Sequence, residues 1–450
     1  MKFLAGIFIQ LLVLGICAAE KPNVILIMAD DVGMEAFSCY GSLDYQTPNI
    51  DKIGKNGVLF KHCYAQALCT PSRNQIMTGR YNHRNYPGFG KLDKNEITFG
   101  KMMQDAGYVT AICGKWQLGR NRELINHFGF DEYLLWWLEN KSERYNNVGE
   151  LIGNGELLPG DQGEYGPDLM ANFALDFITR HKDKPFFLYY PMILVHDPMD
   201  PTPDTQDSAR LGVTLKDRKK LPKEVRSKMV KDNFVDMVHY MDKIVGKIDA
   251  KLEELGIRDN TILIFTGDNG THSMISSNTK MGEIRGAKAT LKDAGTHVPL
   301  VVSWPSQGVK GLVTDQLIDF SDFFVTLAEA GGGKMPSDRK MDGVSFLPTL
   351  QGKKSEQRKW VYSAYFNKFT LLRQDFIRTQ RYKLYNDGSF YDIPNDRQEK
   401  NPISNPQGEA LKVKNFLEAE MKIVSQTTRV IPKALYQGKK PKKKKSKNKI

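Results

Sequence analysis

Cysteine is scarce in this chain, with five in 450 residues. Their spacing forms no zinc pattern, and they are too few for a dense disulfide scaffold. Setting aside Cys17 in the N-terminal segment leaves Cys39, Cys63, Cys69 and Cys113. Cys113 ends an apolar run and reads as a buried strand residue. An oxidising compartment would allow Cys39 and Cys63 to pair. Long apolar runs are missing beyond the N-terminus, which excludes a membrane-spanning helix there. No internal repeat is visible. A one-sided charge is missing too, once the C-terminus is set apart. The formal charge is +12, but eight lysines and no acid lie between Lys439 and Lys449. Without them the charge is +4, and without Lys2 it is +3. That balance excludes a nucleic-acid-binding face. The lysine tail reads as solvated, disordered chain, with a weak electrostatic hold on an acidic polymer or a cell surface as its functional alternative.

The N-terminus has the order of a signal peptide. Lys2 is followed by the apolar stretch Phe3 to Ile16 and the small residues Ala18 and Ala19. A lipid on Cys17 is the weaker reading, because Ile16 is bulkier than such sites prefer. The expectation is a secreted or periplasmic chain with residues 1–19 as leader. A catalytic domain follows over 20–352, then a small subdomain over 353–430 and the lysine tail over 431–450.

Five apolar runs are largely continuous rather than alternating: Asn23 to Ala29, Val109 to Cys113, Phe186 to Tyr190, Thr261 to Thr266 and Val298 to Trp304. Such runs suit strands covered on both faces. Between them, Asn233 to Leu255 carries an apolar stripe at helical spacing and stops at Gly256. This order predicts an α/β sandwich with a mostly parallel central sheet. Beyond about Gly352 the pattern changes to short strands with tight turns. They cover Trp360 to Phe366, Phe376 to Gln380, Tyr382 to Tyr385 and Ser389 to Ile393, with a hairpin at Asn386-Asp387-Gly388. Asn415 to Val424 reads as a closing helix. The predicted subdomain is small and antiparallel.

Three features carry chemistry. Asp30-Asp31 follows the first apolar run, and ligands of open α/β sheets bind beyond the carboxyl ends of strands. Adjacent carboxylates there repel one another unless a cation sits between them. A helix N-cap explains an aspartate equally well. Asp268-Asn269 follows the Thr261 to Thr266 run in the same way. Together they offer three carboxylates and an amide oxygen, a set suited to calcium or magnesium. Asn269-Gly270-Thr271 is also a glycosylation sequon, but a metal-site residue is poorly placed for a glycan, so Asn140-Lys141-Ser142 is the better acceptor. The third feature is Cys69-Thr70-Pro71-Ser72-Arg73, continuing to Thr78-Gly79-Arg80. Thr70 reads as N-cap and Pro71 as the first helical residue, which puts Cys69 at the positive end of a helix. The bland alternative is a capped surface helix with a buried cysteine.

The run Cys69 to Arg80 resembles the signature of the type I sulfatases, in which that cysteine is oxidised to formylglycine. Asp30, Asp31, Asp268 and Asn269 match that family's calcium ligands in order. Gly114-Lys115-Trp116-Gln117-Leu118-Gly119, His196-Asp197-Pro198, Gly286-Ala287-Lys288 and Asp342-Gly343-Val344-Ser345 are similar to further blocks of it. The resemblance covers roughly Asn23 to Tyr391. It implies an alkaline-phosphatase-like fold, hydrolysis of sulfate esters, and a maturation enzyme acting on Cys69. It implies one calcium ion, or magnesium, held by Asp30, Asp31, Asp268, Asn269 and residue 69. A hydrated formylglycine carries two geminal hydroxyls. One attacks sulfur, and loss of a proton from the other later expels sulfate. By the same resemblance Arg73 steadies that hydroxyl, Lys115 and Lys288 hold sulfate oxygens, and His196 serves the leaving oxygen.

Gln117 departs from the pattern, which has histidine there. Glutamine makes hydrogen bonds but does not titrate. It can orient the diol and cannot be the base that breaks down the intermediate. The stretch Phe130 to Tyr145, with Trp136, Trp137, Arg144 and Tyr145, reads either as a platform for a sugar and its anionic groups or as a hydrophobic plug. The polar insert Pro201 to Lys223 is expected to border the cleft, and His272 and His297 to lie outside the site. The leading expectation is hydrolysis of sulfate monoesters, on a sulfated small molecule or carbohydrate. Two alternatives remain: a phosphoester or phosphonate hydrolase on the same fold, and a catalytically impaired protein that binds sulfated glycans.

Overall fold

The computed structural model describes residues 21–426, apart from 137, 139–142, 147, 149, 160–163, 355 and 368–371. The leader with Cys17, the sequon at Asn140, Trp137 and the lysine tail lie outside the described residues. The main sheet is built from β1 (Asn23–Ala29), β2 (Val58–Tyr64), β3 (Val109–Lys115), β4 (Glu132–Trp136), β5 (Glu150–Gly153), β6 (Glu156–Pro159), β7 (Phe186–Pro191) and β8 (Thr261–Gly267). After a two-stranded ribbon, β9 (Ser276–Thr279) with β10 (Gly282–Arg285), it is completed by β11 (His297–Val298), β12 (Leu300–Ser303) and β13 (Leu312–Asp319).

The centre of this sheet runs β8-β1-β7-β3-β4, every neighbour parallel. Antiparallel pairs flank it, β4-β5-β6 on one side and β8-β12-β2 on the other. The run expected from Val298 to Trp304 is divided at Pro299 into β11 and β12, both antiparallel to β2. Proline cannot donate to a ladder, so the run cannot continue through it.

Burial on both faces explains the continuous apolar runs. Ile25, Ile27 and Ala29 of β1 pack with Phe177, Met237 and Ile244 of the helices Gly166–Arg180 and Lys223–Glu254. Val24, Leu26 and Met28 face the other layer, with Phe99, Met102, Phe323 and Leu327. Each fully buried side chain of this kind stabilises by about 1.5–3 kcal/mol. The helix expected from Asn233 begins ten residues earlier, at Lys223. Its first turns are mostly exposed, so they carry no apolar stripe.

The C-terminal sheet is antiparallel: β14 (Val361–Phe366), β15 (Arg373–Arg378), β16 (Tyr382–Tyr385) and β17 (Phe390–Asp392). Gly388 takes a φ of 89°, which the β16–β17 turn requires. The helix Gly408–Val424 packs Leu417 and Val424 against Tyr362, Ile377 and Leu384. Buried charges join this sheet to the main one. Arg378 Nη1 donates to Asp293 Oδ1, and Lys383 Nζ donates to Leu291 O, both acceptors lying in the segment that leads into β11. Cys39, Cys63, Cys69 and Cys113 are all free, so the pairing considered for Cys39 and Cys63 is not made.

Candidate active site

Sheet register sets the site. Ala29 at the end of β1 pairs with Gly267 at the end of β8, so Asp30 and Asp268 emerge side by side. Asp31 has a φ of 62°, a conformation aspartate tolerates better than most residues. Its backbone N–H donates to Asp268 Oδ1 over 3.1 Å, and Asn269 Nδ2 donates to Asp31 Oδ1 over 2.9 Å. All four of these side chains are fully buried.

Lys115 closes β3 on the far side of β7. Gly114 before it has a φ of 117°, and a Cβ there would lie 2.1 Å from Pro191 O. Only glycine lets β3 approach the end of β7 this closely. Lys115 Nζ donates to Asp30 Oδ2 over 2.6 Å. Cys69 is the first residue of the helix Cys69–Thr78, with Leu68 as N-cap. The cap expected at Thr70 is therefore corrected. The extended conformation ends at Leu68, and Thr70 Oγ1 instead accepts from Gly90 N over 3.2 Å. Arg73, one turn on, donates to Asp268 Oδ2 over 3.0 Å and to Lys115 O over 2.6 Å. Lys288 Nζ donates to Asp31 Oδ2 and lies 3.1 Å from His196 Nε2. His196 Nδ1 faces Asp197 O at 2.6 Å.

Asp30, Asp31, Cys69, Arg73, Lys115, His196, Lys288, Asp268 and Asn269 thus converge from segments up to 258 residues apart in sequence. Gln117 stands beside them with a φ of 55° and a buried Oε1 that has no partner. His272 and His297 stay outside. The first accepts from Met274 N, and the second lies against Asp293 and Lys61 O. Asp342 also serves elsewhere, accepting from Tyr81 N and Arg84 Nε.

Of the two readings of the Phe130 to Tyr145 stretch, platform or plug, neither anticipates the position of Arg144. Its Nη1 donates to Asp30 Oδ2 over 3.0 Å, and its guanidinium lies 4.2 Å from the centre of the Trp136 ring. Trp136 and Tyr145 are buried, closer to the plug than to an open platform. No periodicity or spacing marks Arg144, so sequence reasoning had no signal for this contact. The insert Pro201 to Lys223 lines a different cavity, of about 870 Å³, with Glu143 and Tyr165, and none of the site residues above borders it.

Three carboxylates here face four fixed cations: Arg73, Lys115, Arg144 and Lys288. Burial pushes the Asp30 carboxyl up, but Lys115, His196, Arg144 and Arg73 outweigh it and hold it well below the usual range. Asp31 is likewise lowered, against its burial, by His196 and Lys288. Asp268 is pushed up to about 7 by burial and the adjacent Asp30 charge, which Arg73 only partly offsets. Burial pushes His196 down to about 4 against the pull of Asp31, so its ring is neutral at pH 7. Burial also raises the Cys69 thiol above its ordinary range, against the pull of Lys115.

The donor set fits a hard divalent cation. Asp30 Oδ1 and Asn269 Oδ1 are buried oxygens without a hydrogen-bond partner. Asp30, Asp268 and Cys69 bring ligand atoms within 4.8 Å of one another, as do Asp30, Asp31 and His196. Buried acceptors left unpaired are costly unless something fills the position between them.

A parallel sheet with oxygen ligands and cations at its carboxyl ends, and a small antiparallel sheet docked beside it, defines an alkaline-phosphatase-like hydrolase. The family model for sulfatases matches residues 22–333, and that for the C-terminal region of N-sulphoglucosamine sulphohydrolase matches residues 287–427. The N-acetylgalactosamine-6-sulfatase of Rattus norvegicus is 33% identical over 75% of this chain and 68% of its own. The N-acetylgalactosamine-6-O-sulfatase of Bacteroides thetaiotaomicron is 29% identical over 78% of this chain and 80% of its own. A solved structure in complex with its substrate D-glucosamine-2-N,6-O-disulfate superposes with a TM-score of 0.73 at 25% identity, covering 90% of this chain and 98% of that one. The chain belongs to the sulfatase family, whose members hydrolyse sulfate esters.

Proposed function

We propose that the enzyme hydrolyses sulfate esters of carbohydrates, using a formylglycine made from Cys69 and one calcium or magnesium ion. The observation that carries this reading is the meeting of Cys69 with three buried carboxylates and four cations at one end of the sheet. The Cys69 thiol is raised rather than activated, and a thiol held protonated is a poor nucleophile. Oxidation by a maturation enzyme would replace it with an aldehyde hydrate, whose paired hydroxyls supply both the nucleophile and the means of releasing sulfate. Asp30, Asp31, Asp268 and Asn269 would hold the cation together with residue 69. Such a cation supplies positive charge that favours ionisation of the attacking hydroxyl.

The chain's own side chains divide the remaining work. Arg73 bridges Asp268 and the Lys115 carbonyl, and so fixes the position of residue 69 on its helix. Lys115 and Lys288 would bind the outer sulfate oxygens as charge builds on them. Lys288 and His196, 3.1 Å apart, form the pair from which the leaving oxygen would draw a hydrogen bond or a proton. Gln117 would orient the diol through its unpartnered amide oxygen.

The carbohydrate assignment draws on the amino sugars named for the relatives. The leader reading makes the enzyme secreted or periplasmic, and among the described residues no helix is long and apolar enough to cross a membrane. We further take 20–352 as the catalytic part and 353–430 as the subdomain that braces it.

Sulfate release from a panel of sulfated hexosamines and aryl sulfates, with phosphorylated counterparts alongside, tests the activity. Peptide mass spectrometry of the same preparation reads position 69. Active enzyme with an unmodified thiol there would overturn the nucleophile, and turnover of the phosphate esters alone would overturn the substrate class.

A further inference from the structure

A cavity of about 410 Å³ opens beside the nucleophile. Phe89, Lys91, Lys115, Gln117, Arg120 and Trp136 line it. Three of these are cations, and no carboxylate lines the cavity. Lys115 is already committed to Asp30. Lys91 and Arg120 are exposed, and among the described residues neither side chain has an acidic partner within ion-pair distance. Unpaired exposed cations are common on this surface, so what sets these two apart is that they share one cavity with Lys115 and with no carboxylate. Two uncompensated charges sharing one pocket with aromatic rings make a surface ready for an anion on a ring-shaped body.

The pocket is also held in register with residue 69. Gly90 N donates to Thr70 Oγ1 over 3.2 Å, and Asn74 Nδ2 donates to Lys91 O over 3.0 Å. Both partners belong to the helix that begins with Cys69. Leu92 N then donates to Leu118 O over 3.2 Å, which ties the Phe89–Lys91 wall to the strand-end loop carrying Lys115, Gln117 and Arg120. Gly90 has a φ of 74°, a conformation glycine adopts without strain. The two walls therefore keep a fixed spacing from the reacting centre, and a pre-organised subsite loses little entropy on binding.

From this geometry we infer that the cavity is a subsite for a second acidic group of the substrate. Lys91 and Arg120 bind a carboxylate or another sulfate on the sugar that bears the scissile ester, or on its neighbour. The sugar body lies against the exposed ring of Phe89. The preferred substrate is therefore a glycan with at least two negative charges, rather than a monosulfated neutral sugar. This inference rests on the sulfatase reading above and adds the source of its selectivity.

The test uses full-length enzyme with formylglycine verified at position 69 and calcium present. Sulfate release is followed on matched pairs. One pair is glucosamine 6-sulfate with D-glucosamine-2-N,6-O-disulfate. Another is N-acetylgalactosamine 6-sulfate, free and joined to glucuronate. Para-nitrophenyl sulfate, which has no second anion, runs alongside. Wild type is expected to favour the more acidic member of a pair. In Lys91→Ala/Arg120→Ala that preference in kcat/KM should fall roughly ten-fold, chiefly through KM, the size expected when charge-assisted hydrogen bonds are lost. Arg120→Glu should lower it further, and added salt should erode it in wild type. The N-sulfated and glucuronate pairs distinguish a sulfate from a carboxylate as the second group. Equal kcat/KM for both members of every pair in wild type, or a ratio unmoved in the double variant, overturns the inference. Absence of sulfate release from every probe overturns the sulfatase reading itself, a result distinguishable from the other two.

Discussion

Arg144 Nη1 donates to Asp30 Oδ2 over 3.0 Å, at the same oxygen that accepts from Lys115. With two cations on one carboxylate oxygen, the other, Oδ1, is buried and has no hydrogen-bond partner, as suits a cation ligand. On the proposed reading, Arg144 thus orients a cation ligand while also neutralising a fully buried charge. Removing one partner of such a buried pair costs about 3–5 kcal/mol. Lys115 remains on Asp30, so Arg144→Met should destabilise cation-free protein by less than that. Calcium should restore a larger share of stability to the variant than to wild type, because the ion can take over the neutralisation of Asp30. Denaturant unfolding of both proteins, with calcium and with chelator, measures this. An equal loss under both conditions would show that Arg144 acts on stability through packing instead.

The contact between Arg378 and Asp293 makes a separate prediction about pH. Burial raises the Asp293 carboxyl, but Arg378, His297 and Lys383 outweigh it and hold it well below the usual range. A carboxyl depressed in the folded state contributes stability above its unfolded pKa and loses that contribution as pH falls through the folded value. In Arg378→Leu the largest lowering influence is gone and burial remains. The folded pKa then rises, and protonation comes to favour the native state. The variant should lose about 3–5 kcal/mol at pH 7, and its deficit against wild type should shrink toward pH 4. Unfolding midpoints between pH 4 and pH 7 provide the readout. A constant deficit would mean that Asp293 does not titrate with the mutation.

The centre of the fold was legible because it is buried on both faces. Strands starting at Asn23, Val109, Phe186 and Thr261 begin where the apolar runs begin. β2 escaped notice because exposed Lys61 and half-buried His62 interrupt its apolar run. β13 starts exposed and becomes buried only from Gln316 onward, so neither period dominates it. The ligands and cations of the site were legible where they sit in compact motifs at strand ends or on the Cys69 helix. Arg144 was not, since it reaches Asp30 from an irregular segment. The Phe89–Arg120 pocket was not, because its walls meet through a backbone hydrogen bond, Leu92 N to Leu118 O, that leaves no residue pattern.

Asn269 offers a way to examine the cation apart from turnover. Its Oδ1 is buried and unpartnered, while its Nδ2 is occupied by Asp31 Oδ1 and Gly270 O. Chelation should stop sulfate release and lower the melting temperature. Calcium at about 100 times its Kd adds about 2.7 kcal/mol to the native state. Asn269→Leu should shrink that calcium-induced shift, seen as a smaller rise in melting temperature at the same free calcium. Full activity in chelated wild type would rule out the cation's role.

Under the proposed mechanism, Gln117 bears on how the covalent intermediate breaks down. Its backbone φ of 55° lies in the left-handed region, where histidine is better tolerated than most residues, so Gln117→His introduces little strain. The amide oxygen is buried and has no partner, which suits a hydrogen bond to the diol. It has no titratable proton, so expulsion of sulfate must draw on another base or on water. Attack on sulfur makes no such demand on Gln117. The first step should therefore outrun the second, and wild type should release a burst of alcohol before settling to a slower steady rate. A histidine at this position can accept the proton. Gln117→His should raise the steady rate, diminish the burst and introduce a pH dependence in the range where histidine titrates. Rapid-quench measurement of alcohol release, wild type beside variant across pH 5 to 8, decides the matter. No burst in wild type, with a folded but slower variant, would mean that another residue already supplies the base and that Gln117 is shaped for contact with the substrate.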